Sequence, residues 1–266
     1  MFIIELLIRT FWETLYLTGA IILVGLLLGL LQNNATRNFQ RSFGRNALMV
    51  TGFIGTPIHE LSHAGIALLF GHKINDIKLF QRPDENGVMG YVNHSYNKNS
   101  LYQQIGNFFI GVAPIFGGIV AMIILMRLVI PEAFEAFITI LVESVNFETF
   151  SMVTIQGIAA AYLGLLKIIF SWSNFQNLYF YLFLFIAICI SSHMSLSLAD
   201  IKGAFRGLLI IFLLVLIFNV LGLSQYIAAL NVIKYNVFIT GFLMITVIFS
   251  VITYFVSLAS VLIARR

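Results

Sequence analysis

His59-Glu60-Leu61-Ser62-His63 puts two imidazoles four positions apart with a carboxylate directly after the first. On a helix, positions four apart share a face, so both rings can reach one divalent ion. Zinc suits imidazole and carboxylate ligands and lowers the pKa of a bound water toward about 7. Glu60, one step along, is placed to take a proton from that water as general base. The motif itself implies metal-assisted hydrolysis, and the resulting hydroxide can attack a peptide carbonyl. His59 and His63 are the expected Zn2+ ligands, with one ion per chain.

A catalytic zinc needs a third protein ligand and an open fourth position. The chain has 11 acidic residues. Glu5 and Glu13 flank the first apolar run, and Asp76, Asp84 and Glu85 fall in a polar stretch. Glu132, Glu135, Glu143 and Glu148 lie in a polar connection. Apart from Glu60, only Asp200 is embedded in mainly apolar sequence on both sides, within Ser191–Arg206. Asp200 is the expected third ligand, and His193, seven positions earlier, is the alternative. Asp200 can also be read as an N-cap for a helix starting near Ile201. His72 and His94 read as surface residues of the polar stretch.

Elements must hold these groups in place, and composition says what kind. Hydrophobic residues make up 60% of the 266 and charged residues only 10%. Soluble domains are about half apolar and a quarter charged, so the bilayer is the natural solvent. The reading is one all-α, polytopic membrane domain over residues 1–266, with its core at 47–206. Six spans are predicted: Phe11–Leu31, Ala47–Phe70, Ile105–Ile130, Asn177–Ala199, Gly207–Leu223 and Val237–Ile263. The first is read as a retained span, because it lacks the basic start and small-residue cleavage site of a secretory signal. The motif thus lies mid-span, where ionisable groups are costly and usually functional.

Gln32–Asn46 reads as a polar linker carrying Arg37, Arg41 and Arg45. Residues 71–104 read as a β-hairpin insertion at the membrane surface, with strands at Lys73–Gln81 and Val88–Asn97 and a turn at Asp84–Gly87. Ser151–Trp172 reads as an interfacial helix, a re-entrant segment or a seventh span. With six spans, the basic hairpin, Lys202, Arg206 and Arg265-Arg266 fall on one side, expected to be cytoplasmic. Net charge is +4, and with the basic residues in loops no nucleic-acid partner is expected. A single cysteine, Cys189, excludes intrachain disulfides and cysteine-rich metal sites.

Beyond these spacings, the sequence resembles the site-2 protease family of intramembrane zinc metallopeptidases. His59 through Gly65 followed by Phe70-Gly71-His72-Lys73-Ile74 is similar to that family's metal-binding helix running into its first strand. Gly111-Val112-Ala113-Pro114 is similar to its Gly-Pro element, and Ser197 through Gly203 to its later Asp-Gly element, with Ile201 and Lys202 between Asp200 and Gly203. The resemblance implies a membrane-associated sheet, Asp200 as third zinc ligand, and cleavage of membrane-protein substrates in or near their transmembrane segments. It implies a multi-pass protein, expected in a bacterial cytoplasmic membrane. A peptidase acting on surface-exposed or lipidated peptide termini, and a non-catalytic zinc-binding membrane protein, stand as alternatives. Substrate identity and oligomeric state are not legible.

Overall fold

A computed structural model describes residues 2–85, 87–145, 163–164, 166–223 and 232–264 of the chain. Eight helices are defined among them: α1 Phe2–Phe43, α2 Leu48–Leu69, α3 Leu101–Val129, α4 Pro131–Val145, α5 Trp172–Phe175, α6 Leu178–Ser191, α7 Leu198–Val220 and α8 Val232–Ala264. Two strands, β1 Lys73–Lys78 and β2 Tyr91–Ser95, pair antiparallel between α2 and α3. Most of Ser151–Trp172, Asn86 of the expected turn, Glu148 and Arg265-Arg266 lie outside the described residues.

Among the described residues, four helices are long and apolar enough to cross a membrane: Ile3–Phe43, Leu101–Val129, Leu198–Val220 and Leu243–Ala264. The expected second span exists as the 22-residue α2 but is not among these four. His59, Glu60, His63 and several Gly, Ser and Thr residues dilute its hydropathy, as expected of a helix that carries polar chemistry inside the bundle.

The expected span at Asn177–Ala199 is not one helix. α6 is 14 residues long and is capped at its start by the Asn177 side chain, too short to cross about 30 Å of hydrocarbon. It stops at Ser191, residues 192–197 are non-helical, and α7 begins at Leu198. The break is local chemistry. Serines 191, 192, 195 and 197 can bond nearby backbone and so compete with helix. Ser197 and Asp200 close a capping box, each side chain accepting from the other's backbone N–H, which starts the next helix.

The expected linker is helix as well. α1 runs unbroken to Phe43 over 42 residues, about 63 Å at 1.5 Å per residue, so its polar end projects beyond the apolar zone. Polar clamps fix α1 at both ends. Asn219 of α7 donates to Thr10 Oγ1 (3.1 Å) and Glu13 Oε2 (2.7 Å). Asn38 donates to Ser257 Oγ of α8 (3.1 Å), and Ser42 lies 3.1 Å from Ser260.

α3 is the central helix, packed by α2, α4, α6 and α7, with lesser contacts to α1 and α8. Its fully buried Val112, Ile115, Met122 and Met126 join Phe180, Phe183, Leu243 and Phe249 in one apolar core. α4 turns Ala133, Phe134 and Phe137 into the same core, so the region expected as a polar connection is partly an amphipathic helix.

The hairpin forms where alternation indicated, with an irregularity between Ile74 and Asp76. Beyond β1 and β2 it folds back along α2: Phe80 packs edge-on against Phe53, and Met89 and Gly90 reach Gly52, Thr56 and Glu60. The hairpin pairing continues there, with Gln81 N–H donating to the Met89 carbonyl at 2.8 Å. At the hairpin base His72 is buried, 3.0 Å from His94 and stacked on Tyr96, so His72 is not the expected surface residue.

Candidate metal centre

α2 puts His59 and His63 on one face, as an i, i+4 pair requires. The decisive feature is what holds each ring. His59 Nδ1 donates to the His193 carbonyl at 2.6 Å, and His63 Nδ1 donates to the Ile110 carbonyl at 2.7 Å. A ring that donates through Nδ1 keeps its lone pair on Nε2, the ligand atom, and a backbone carbonyl is a common orienting partner for metal-binding histidine.

Both acceptors are free for reasons written in the backbone. The Ile110 carbonyl would normally take the N–H of residue 114, but residue 114 is proline and has none. The His193 carbonyl lies in the non-helical segment between α6 and α7. Two departures from regular helix, on two different elements, therefore aim the two imidazoles.

The paired Nε2 atoms lie 3.1 Å apart. Two ligands at about 2.05 Å from one tetrahedral ion would lie about 3.3 Å apart. Asp200 completes the group: Oδ1 is 3.2 Å from His63 Nε2 and Oδ2 is 3.8 Å from His59 Nε2. The ligand atoms of His59, His63 and Asp200 all lie within 4.8 Å of one another, so this group can hold a metal ion. Facing lone pairs and a nearby carboxylate are arranged as a cation would need them, and the donor set of two imidazoles and one carboxylate suits a divalent ion.

Asp200 reaches this point through helix packing. It sits in the first turn of α7, where Oδ2 also accepts from the Ser197 N–H at 2.7 Å. The N-cap is Ser197 and the helix starts at Leu198, so Asp200 is the third helical residue of a capping box and not the expected N-cap of a helix starting near Ile201. α7 approaches α3 at Gly111. A Cβ there would meet the Asp200 carbonyl oxygen at 2.5 Å and Ala204 Cβ at 2.7 Å. Small residues permit such close helix contact in membranes, and here the contact brings Asp200 to the two imidazoles.

His193, the alternative ligand, stands outside the group. Its ring Nδ1 is 3.1 Å from the Cys189 carbonyl, and the ring lies against Gly55 of α2. Its contribution is its own carbonyl on His59.

Comparison with family models, curated proteins and solved structures finds no match.

Glu60 is buried on the side of α2 that faces the hairpin. Gly90 lies directly over it: a Cβ at 90 would stand 2.8 Å from Glu60 Cγ and 2.8 Å from Thr56 Cγ2. The hairpin thus covers the Glu60 side chain beside the His59, His63 and Asp200 group. Sequence reasoning missed Ile110, Pro114 as the residue that frees its carbonyl, and Gly90. Pro114 alone left a readable signal, a proline inside an otherwise apolar helix.

In the hairpin, the His94 and Tyr91 side chains are perturbed. Burial, then His72, then His63 hold the His94 imidazole below its usual pKa of 6.5. The hydrogen bond to Asp76 (2.6 Å), together with its charge, raises the Tyr91 phenol.

Proposed function

We propose that this chain is a zinc endopeptidase that hydrolyses peptide bonds in or near the transmembrane segments of membrane proteins, in the manner of the site-2 proteases it resembles. The observation that carries the reading is the convergence of His59, His63 and Asp200, each imidazole aimed by a backbone carbonyl, with Glu60 buried beside them. A site that only stores or carries metal needs no such carboxylate.

His59 Nε2, His63 Nε2 and an Asp200 carboxylate oxygen would hold the ion. Zinc bound there supplies a Lewis acid that acidifies water and polarises a carbonyl oxygen. The Glu60 carboxylate accepts the proton as water attacks the scissile carbonyl, then returns it to the leaving amine. The Gly90 roof, within van der Waals reach of Glu60, restricts bulk water around that carboxylate. A transmembrane substrate must unwind first, since its helix bonds occupy the carbonyl that is attacked. The two-stranded sheet keeps unpaired edges among the described residues, and an extended substrate segment can add to one of them through main-chain bonds.

The test is paired. Glu60→Gln is expected to retain about one zinc per chain, within the metal affinity set by the unchanged ligands, and to lose cleavage of a single-span reporter. His59→Ala is expected to lose both. Full cleavage by Glu60→Gln ends the general-base assignment, and undiminished zinc in His59→Ala ends the metal assignment.

A further inference from the structure

A second polar feature adjoins the metal centre and has no part in the chemistry above. A cleft of about 940 Å³, including the space where it opens outward, lies between the projecting end of α1, the start of α2, the hairpin tip and the α6–α7 break. Gln32, Asn33, Thr36, Arg37, Ser192 and His193 contribute most of its polar wall, and Gly87 and Met89 of the hairpin tip close one side. Its lining contains a cation and no acidic residue. Arg37 has no ion pair or hydrogen bond among the described residues.

Two atoms in this wall are buried without a partner, Gln32 Oε1 and Ser192 Oγ. A third, Thr56 Oγ1, lies further toward Glu60. Buried polar atoms are normally satisfied, so a row of them marks a place for polar atoms from outside. The row leads inward. His193 forms part of the cleft wall, and its carbonyl holds His59. The hairpin strand that closes the cleft at Met89 covers Glu60 at the next residue, Gly90.

We propose that this cleft is a specificity subsite that binds an acidic, extended segment of the substrate flanking the cleaved bond, with Arg37 pairing its carboxylate. The inference rests on the peptidase reading and names the substrate chemistry that reading leaves open. Arg pairs carboxylates through parallel N–H bonds, and Gln32, Asn33, Thr36 and Ser192 serve the main chain of an extended segment, which carries both donors and acceptors. A peptide is favoured over a lipid headgroup because two wall residues are tied to the candidate centre: His193, whose carbonyl holds His59, and Met89, next to the glycine that covers Glu60.

The first test needs no substrate and no metal. Asn33→Cys, at an exposed position on the α1 wall, is reconstituted in a Cys189→Ala background in phosphatidylcholine vesicles and treated with anionic and cationic methanethiosulfonates of matched size. One nearby unit charge at an effective dielectric of about 20 predicts at least about a tenfold preference for the anionic reagent. Arg37→Gln is expected to bring the two rates within about twofold of each other. Equal rates in the parent, or a preference that survives Arg37→Gln, overturns the subsite. Thr36→Cys on the same wall gives the same reading should Asn33→Cys fail to fold. Protection of the thiol by phosphatidylglycerol in place of phosphatidylcholine would make the cleft a headgroup site and overturn the peptide assignment.

The second test uses synthetic single-span peptides with Asp or Asn in the flank. Arg37→Gln is expected to raise KM for the Asp peptide about tenfold, the loss of one charge-assisted pair, while kcat and the Asn peptide stay unchanged. Equal effects on both peptides overturn the proposal. The two readings fail separately: a chain that cleaves nothing can still show the anionic preference, and an active chain can lack it.

Discussion

Replacing Pro114 with alanine separates metal tuning from stability. The Ile110 carbonyl accepts His63 Nδ1 at 2.7 Å because proline at 114 offers no N–H. Alanine restores that N–H, and it points at the same oxygen along the helix. A carbonyl has two lone pairs, so His63 is not displaced outright; its bond is shared and weakened. Loss of an orienting partner costs metal affinity about 10- to 100-fold, and sharing places the expected effect near tenfold, or about 1.4 kcal/mol. The helix itself gains, since proline in an interior costs up to about 3 kcal/mol relative to alanine. Pro114→Ala is therefore expected to bind zinc about tenfold more weakly, read by chelator competition in detergent. Its metal-free form should melt at a higher temperature than the parent. Opposite signs in the two measurements are the signature. Unchanged zinc affinity would refute the claim that this carbonyl aims His63, and parallel losses in both would reduce the effect to misfolding.

The remaining predictions concern the elements around that ring. Asp200→Asn keeps an acceptor for the Ser197 N–H but loses the anionic ligand, so zinc stoichiometry should collapse while the metal-free melt moves by less than the ~1 kcal/mol typical of losing a cap. Gly90→Ala places a methyl 2.8 Å from Glu60 Cγ; cleavage should fall at least about tenfold, as expected when a reacting group is displaced by a fraction of an ångström, with zinc content unchanged. His94 titrates below 6.5 in the folded chain, chiefly through burial, so the unfolded chain binds the extra proton first as pH falls. That group therefore removes stability as pH drops through 6.5, with a slope of at most about 1.4 kcal/mol per unit. His94→Asn should flatten the Tm-versus-pH curve in that window, compared at matched zinc loading.

Features that depend on near neighbours in the chain were legible. The HExxH spacing needs only one turn of helix to bring its rings together, so His59 and His63 followed from periodicity. The expected runs at residues 11–31, 105–130, 207–223 and 237–263 each coincide over most of their length with a helix long and apolar enough to cross a bilayer, because hydrophobic length is a local property. The strands flanking Asp84–Gly87 followed from alternation and turn residues for the same reason.

Tertiary structure decided the rest. Composition read straight through the apolar residues 177–199, whereas the break at 192–197 depends on a capping box and on room for it against α2 and α3. The hairpin's course along α2 is set by contacts 27 residues apart, Phe53 on Phe80, and strand propensity says nothing about where a hairpin lies. In one dimension Asp200 was the expected ligand and His193 the alternative, both within Ser191–Arg206. Gly111 admits the first turn of α7 beside His63, while His193 turns its ring to Cys189 and lends its carbonyl to His59. His59 and His63 stand on α2 and Asp200 on α7, and the carbonyls that aim the imidazoles come from α3 and from the α6–α7 break, where a free acceptor is a property of the backbone and not of the side chain of Ile110 or His193.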